Sequence, residues 1–124
     1  MRTILNNVQI KAVSSWLPIN KLEMDSLSDI YGMSEVQNII KATGVQRVRI
    51  ADEDMTSSDM CQKAAEYLIS REEIDRKEID GVVFVSQTCD YILPATSITL
   101  QDRLKLSKDT VCIDIHYGCS GYIY

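Results

Sequence analysis

Apolar positions change their period several times along the chain, and each change marks an element. Residues 3–13 carry Ile4, Val8, Ile10 and Ala12 at a rough spacing of two, which predicts a strand that ends by Pro18. Residues 23–31 suit a short helix closed by Gly32. Ser34 opens S-E-V-Q with Gln37 three residues on, a capping-box pattern that predicts a helix over 35–42. Gly44 stands where a left-handed C-terminal cap belongs. VQRVRI, 45–50, reads as a short strand or extended loop. Thr56 to Asp59 offer caps to a helix whose apolar face is Met60, Cys61, Ala64, Ala65, Leu68 and Ile69. REEIDRKEID, 71–80, is a charged, solvated connection. GVVFVSQ, 81–87, is apolar at successive positions, as in an interior strand covered by helices on both faces. After the loop CDYILP, Pro94 can open a helix with Ile98, Leu104 and Leu106 on its buried side. VCIDI, 111–115, is the last strand.

Strand, helix, strand, helix, strand is a βαβαβ order. It places the chain in the α/β class, with a mostly parallel sheet and right-handed crossovers. No repeat or flexible linker interrupts residues 1–124, so one domain is expected, and 45% hydrophobic residues allow it a real core. Composition then narrows the function. The net charge is -5 and the basic residues are scattered, which argues against nucleic acid or an anionic membrane as a partner. No stretch is long and apolar enough to span a bilayer, and the N-terminus lacks a signal peptide's apolar run and cleavage site. A cytoplasmic protein is expected. Its four cysteines, Cys61, Cys89, Cys112 and Cys119, are expected as reduced thiols. Their spacings match no zinc pattern and the chain has one histidine, so no metal site is expected.

Chemistry in open α/β sheets gathers at the carboxyl ends of strands. The last strand leads into HYGCSGY, residues 116–122. Gly118 permits a tight turn, and Cys119 falls at the first or second residue of a new helix. Unpaired N–H groups of a first turn, and the helix dipole, favour a thiolate there and can hold a developing oxyanion. Gly118, Ser120 and Gly121 leave room for a substrate to approach. Free cysteines are nevertheless most often buried and inert. Cys61, on a helix face, and Cys112, in mid-strand, are read that way, and Cys89 as a loop residue without a role in the chemistry. For Cys119, spacing alone leaves the two readings nearly balanced. His116 is a structural residue or, in a cysteine hydrolase, the only available base; Tyr122 and Tyr124 are read as packing residues.

Four stretches carry a family resemblance: ATGVQRVRIA at 42–51, the helix SSDMCQKAAEYLI, IDGVVFVSQTCDYILPATSITLQDRL at 79–104, and CIDIHYGCSGYIY. Together they resemble the N-terminal part of ketoacyl synthase III (3-oxoacyl-[acyl-carrier-protein] synthase III), within the thiolase-like condensing enzymes. The resemblance rests most on a D-x-x-x-x-C-[SA]-G-[FY] nucleophile motif, here Asp114, Cys119, Ser120, Gly121 and Tyr122. It implies an incomplete thiolase-like fold, the first half of a five-layered αβαβα architecture. It also implies that Cys119 accepts an acyl group from an acyl thioester, usually of coenzyme A, and that decarboxylating malonyl-acyl carrier protein then attacks the acyl-enzyme. No cofactor is implied beyond these substrates. A homodimer is implied, with Leu93, before Pro94, reaching into the partner's acyl pocket.

Two departures accompany the resemblance. The family's partner His and Asn lie in a later part of a longer chain, so this sequence reads as a fragment that does not condense substrates alone. Residues 119–124 are then expected to be poorly anchored. The Trp and Arg that hold the adenine end of coenzyme A in the family correspond here to Asn38 and Ala42, and Trp16 does not replace them. That leaves room for a carrier-protein-bound donor. A second function class stays open: a non-catalytic dimerisation or interaction module that uses the Pro94 helix and the strand near 82–86.

Overall fold

The computed structural model describes Ile4 and residues 6–123. These form two compact units, one from the described parts of Met1–Trp16 and Ser57–Tyr124, the other from Leu17–Thr56. In the smaller unit, β1 (Lys21–Glu23) pairs antiparallel with β2 (Arg47–Arg49), Leu22 opposite Val48. A 3-10 turn (Met24–Leu27), α1 (Ser28–Tyr31) and α2 (Met33–Thr43) lie between them. Gly32 separates the two helices at φ 85°, a conformation that glycine adopts without steric cost. The chain is thus already helical at Met33, and Ser34 sits inside the first turn of α2 with no side-chain cap. The expected capping box does not form. Gly44 closes α2 as expected, at φ 73°, its N–H donating to the Ile40 carbonyl at 2.8 Å.

The larger unit holds α3 (Ser57–Arg71), β3 (Gly81–Val85), α4 (Thr96–Arg103) and β4 (Val111–Ile115). β3 and β4 are parallel, with Val82 beside Cys112 and Phe84 beside Asp114. Side chains alternate across a strand, so these four share one face. There Phe84, 4% exposed, joins Ile69 of α3, Leu100 of α4 and Leu104 in the core. Side chains also lock the connections. Arg76 donates to Glu66 at 2.6 Å and to the Leu104 carbonyl at 2.8 Å, and the Thr110 hydroxyl donates to the Ile79 carbonyl at 2.9 Å.

Three expectations fail here. Residues 3–13 form no strand among the described residues, and Ile4, Val8, Ile10 and Val13 are exposed. Thr3 and Leu5 lie outside the described residues. A strand exists through its ladder, and no described strand lies beside this segment. Coverage of β3 on both faces also fails: Val83 is 58% exposed and Val85 is exposed beside it. Third, α4 begins at Thr96 and buries Thr96, Ser97 and Leu100, followed by Leu104 after its last turn, while Ile98 faces outward. Helical spacing from Leu104 back through Leu100 selects Thr96 and Ser97, not Ile98, for the covered side. No described helix is long and apolar enough to cross a membrane.

Candidate active site

β3 and β4 end side by side. The Ser86 N–H donates to the Ile115 carbonyl at 3.2 Å, which carries the ladder to the last residue of β4. Two loops leave from this edge, residues 86–95 and residues 116–118. The second leads directly into Cys119–Tyr122, a single 3-10 turn. The Gly121 N–H donates to the Gly118 carbonyl at 2.9 Å and the Ile123 N–H to Ser120 at 3.0 Å. Cys119 is the first residue of the turn, as the sequence predicts, but the turn is one 3-10 wind and not an α-helix. The thiol is free and the residue exposed.

Gly121 decides where the turn sits. It is buried, and a Cβ placed on it would overlap Val85 Cγ1 and lie 3.2 Å from the Tyr117 Cβ. Val85 points away from the Phe84 face, so the turn lies on the side of the sheet opposite α3 and α4. The expected loose anchoring therefore holds only for part of the segment. Tyr122 and Ile123 are exposed, Gly121 is seated, and Tyr124 lies outside the described residues. Gly118 is the second close approach. A Cβ there would be 3.3 Å from the carboxamide carbon and nitrogen of Gln87. Gln87 continues the alternation of Val83 and Val85, which brings its side chain to the same face as the cysteine turn. That is the signal in the sequence that could have singled it out.

Asp114 has a definite task. Its carboxylate accepts the Thr96 N–H at 2.7 Å and the Ser97 N–H at 2.8 Å. It thereby caps the start of α4, two of whose first amides otherwise lack partners, and ties it to the end of β4. Partial burial raises the carboxyl pKa, but the hydroxyl dipole and amide of Ser97, the Thr96 amide and the charge of His116 outweigh it, and the net shift is downward. A carboxyl that holds its proton less tightly folded than unfolded stabilises the fold fully above the unfolded value of about 3.9 and loses that effect as pH falls through the lower, folded value. Asp114→Ala is expected to lower stability by about 2 kcal/mol at neutral pH, from the loss of charge-assisted hydrogen bonds. Urea unfolding should show the gap to the parent chain closing below about pH 4. A gap independent of pH would contradict this role.

The other sequence candidates separate. Cys61 is exposed as a residue, not buried as expected, although its sulfur is partly screened from solvent; Cys112 is half-buried in β4. Loss of solvent around the sulfur, and then Asp90, push the Cys61 thiol up; loss of solvent and then Asp114 do the same to Cys112. Both are held as thiols, the weak form for nucleophilic attack. His116 is exposed, and no hydrogen bond joins it to Cys119 among the described residues. Asn38 and Ala42 are exposed one turn apart on α2. Leu93 is 84% exposed in the 86–95 loop, before a cis bond to Pro94.

An exposed cysteine in a tight turn after a parallel strand, with small residues around it, is open to an incoming electrophile. No family model matches the chain. Individual proteins do. The chain is 32% identical over 117 residues to beta-ketoacyl-[acyl-carrier-protein] synthase III of Syntrophomonas wolfei, covering 94% of this chain and 35% of that protein. The crystal structure of a 3-oxoacyl-(acyl-carrier protein) synthase from Burkholderia xenovorans superposes with a TM-score of 0.83 at 35% identity, covering 89% of this chain and 32% of that one. A synthase III from Thermus thermophilus superposes at 0.84 with 28% identity, covering 94% and 36%. The chain is a relative of ketoacyl synthase III. It spans about a third of the length of the curated relatives it matches, and its structure covers part of the thiolase-like fold. Against the ketoacyl synthase III structures, the parallel β3–β4 pair and its flanking helices are shared fold, not a local coincidence.

Proposed function

We propose that this chain supplies the nucleophile-bearing part of a ketoacyl synthase III-type condensing enzyme. The Cys119 sulfur attacks the carbonyl of an acyl thioester, and the new thioester forms as the donor thiol leaves. A malonyl thioester on acyl carrier protein then loses carbon dioxide. Its α-carbon attacks the acyl-enzyme, a carbon–carbon bond forms, and the Cys119 sulfur departs. The observation that carries this reading is the placement of Cys119: exposed, at the carboxyl end of β4, on a turn seated by Gly121 against Val85. Thioester exchange suits such a thiol because the acyl-enzyme keeps its carbonyl electrophilic. The exposed apolar residues Tyr91, Ile92 and Leu93 support an acyl-contacting loop, with Leu93 directed to a second copy in a homodimer. Fatty acid or related acyl-chain synthesis is the corresponding pathway class, and the cytoplasm the compartment.

The test is intact mass after incubation with acetyl and octanoyl thioesters of coenzyme A and, in parallel, of acyl carrier protein. One added acyl group mapping to Cys119 is the expected result, and no covalent uptake, or uptake at another residue, would reject the reading. The exposed apolar side chains of Val83, Val111 and Ile113 favour a second use as an interaction surface. Tight association with a separate polypeptide, without acyl uptake, would favour that use over catalysis.

A further inference from the structure

The loop of residues 86–95 is bound to the fold by polar contacts far from one another in sequence. At its start, the Ser86 hydroxyl accepts the Thr88 N–H at 3.0 Å, and the Thr88 and Ser57 hydroxyls are 2.8 Å apart. At its end, Asp114 holds the amides of Thr96 and Ser97. Between them, Asp90 accepts hydrogen bonds from the Ser58 hydroxyl and, at 3.4 Å, from the Ser58 N–H. Ser58 is fully buried in the first turn of α3. Its oxygen also accepts from the Arg103 guanidinium at 2.8 Å, and the same nitrogen of Arg103 donates to Asp59 at 2.8 Å. One buried hydroxyl thus joins α3, α4 and the loop.

What this arrangement leaves outside is as informative. The three residues after Asp90 are apolar and bare: Tyr91 is 60% exposed, Ile92 90% and Leu93 84%. A loop with an unsupported apolar tip collapses or samples many shapes unless polar contacts outside the tip fix it. At its other end the loop carries Gln87, which sits against Gly118 beside the nucleophile.

We propose that Ser58 is a positioning residue: through Asp90, with Arg103 behind it, it holds the 86–95 loop so that its apolar tip and Gln87 discriminate among acyl groups delivered to Cys119. This rests on the acyl-transfer reading above. Ser58 touches no substrate and acts only through the loop.

The test uses the full chain, with acyl uptake on Cys119 followed by intact mass from acetyl- and octanoyl-coenzyme A over a range of concentrations. Ser58→Ala removes the hydroxyl that donates to Asp90 and leaves the Ser58 N–H in place. It is expected to shrink the ratio of the two kcat/KM values about tenfold, as a hydrogen bond to a carboxylate is lost, with the change carried by KM. Alkylation of Cys119 by iodoacetamide should stay within about twofold, since the cysteine turn lies on the opposite face of the sheet. Hydrogen exchange at residues 88–92 should quicken in parallel. Asp90→Asn keeps the shape and one acceptor, and should give a smaller change in the same direction; it replaces Ser58→Ala if that chain does not fold. Uptake by the parent chain with unchanged discrimination in the variant overturns this inference alone. So does an equal fall for both donors together with slower alkylation, the mark of a purely structural role. No uptake by the parent chain of either acyl group, from coenzyme A or from acyl carrier protein, rejects the acyl-transfer reading, and this inference with it.

Discussion

Cys119→Ala is expected to abolish covalent acyl uptake while leaving the fold in place. The residue is exposed and no hydrogen bond of its thiol is seen among the described residues, so its removal leaves neither a cavity nor an unpaired buried group. The loss is expected to be complete because the other thiols are less well placed for attack. Cys61 and Cys112 are pushed toward the protonated form by lost solvent and by Asp90 and Asp114 respectively, and Cys89 is half-buried. Cys119→Ser is the finer probe. It keeps the shape of the turn but substitutes a hydroxyl, a far weaker nucleophile near neutral pH without an adjacent general base. No hydrogen bond links His116 to this position among the described residues, so uptake by the serine chain should also fall to background. The measurements are intact mass and unfolding midpoint on the same samples. An acyl group retained in Cys119→Ala, mapped to Cys61 or Cys89, would move the chemistry elsewhere on the molecule.

Gly121→Ala should give the second largest effect, and for a mechanical reason. The added methyl falls on Val85 Cγ1 and crowds the Tyr117 Cβ at 3.2 Å. Val85 belongs to a strand paired through its length with β4, so the turn is the part that must move. Overpacking of this kind costs about 1–3 kcal/mol. A displacement of the nucleophile by about 1 Å can lower its reaction rate by about a hundredfold. A downward shift in urea midpoint and a loss of acyl uptake of tenfold or more are therefore expected together, the latter within that hundredfold bound. The double change Gly121→Ala with Val85→Ala opens the space again and should recover most of the uptake, a coupling larger than distant sites show. Gly118→Ala supplies the contrast. Its methyl meets the flexible end of the exposed Gln87 at 3.3 Å, which can swing aside, so its effect on the urea midpoint should be slight. Equal behaviour of the two alanine chains would mean that the turn is not seated under Val85.

Much of the larger unit was legible in the chain itself. The apolar runs within 81–87 and at 111–115 and the helix whose face runs from Met60 to Ile69, like the left-handed Gly44 of the smaller unit, follow from short-range rules of period, cap and steric freedom, and the structure has a strand at 81–85, a strand at 111–115 and a helix at 57–71 there. The same rules place Cys119 at the first or second residue of an element after the last strand, which the structure builds as a 3-10 turn and not the expected helix. The misses share a cause. Ser34 was a fair cap by pattern, but a positive-φ glycine two residues earlier started the helix sooner. Residues 3–13 alternate like a strand, yet alternation describes a surface and not a partner, and no described strand pairs with them. Ser58 and Asp90 are 32 residues apart, and nothing in either neighbourhood signals the other.

By itself, then, the sequence determined the α/β class, the parallel order of the last two strands and the place of Cys119 after the second of them, because period, turn residues and the strand–helix–strand connection specify them. Only the tertiary structure decided that Asp114 caps α4, that Gly121 seats the cysteine turn on the face away from the helices, and that a buried serine holds the 86–95 loop. Those outcomes depend on which face each strand residue takes and on what lies across the gap. A one-dimensional pattern carries the first only relative to its neighbours, and the second not at all.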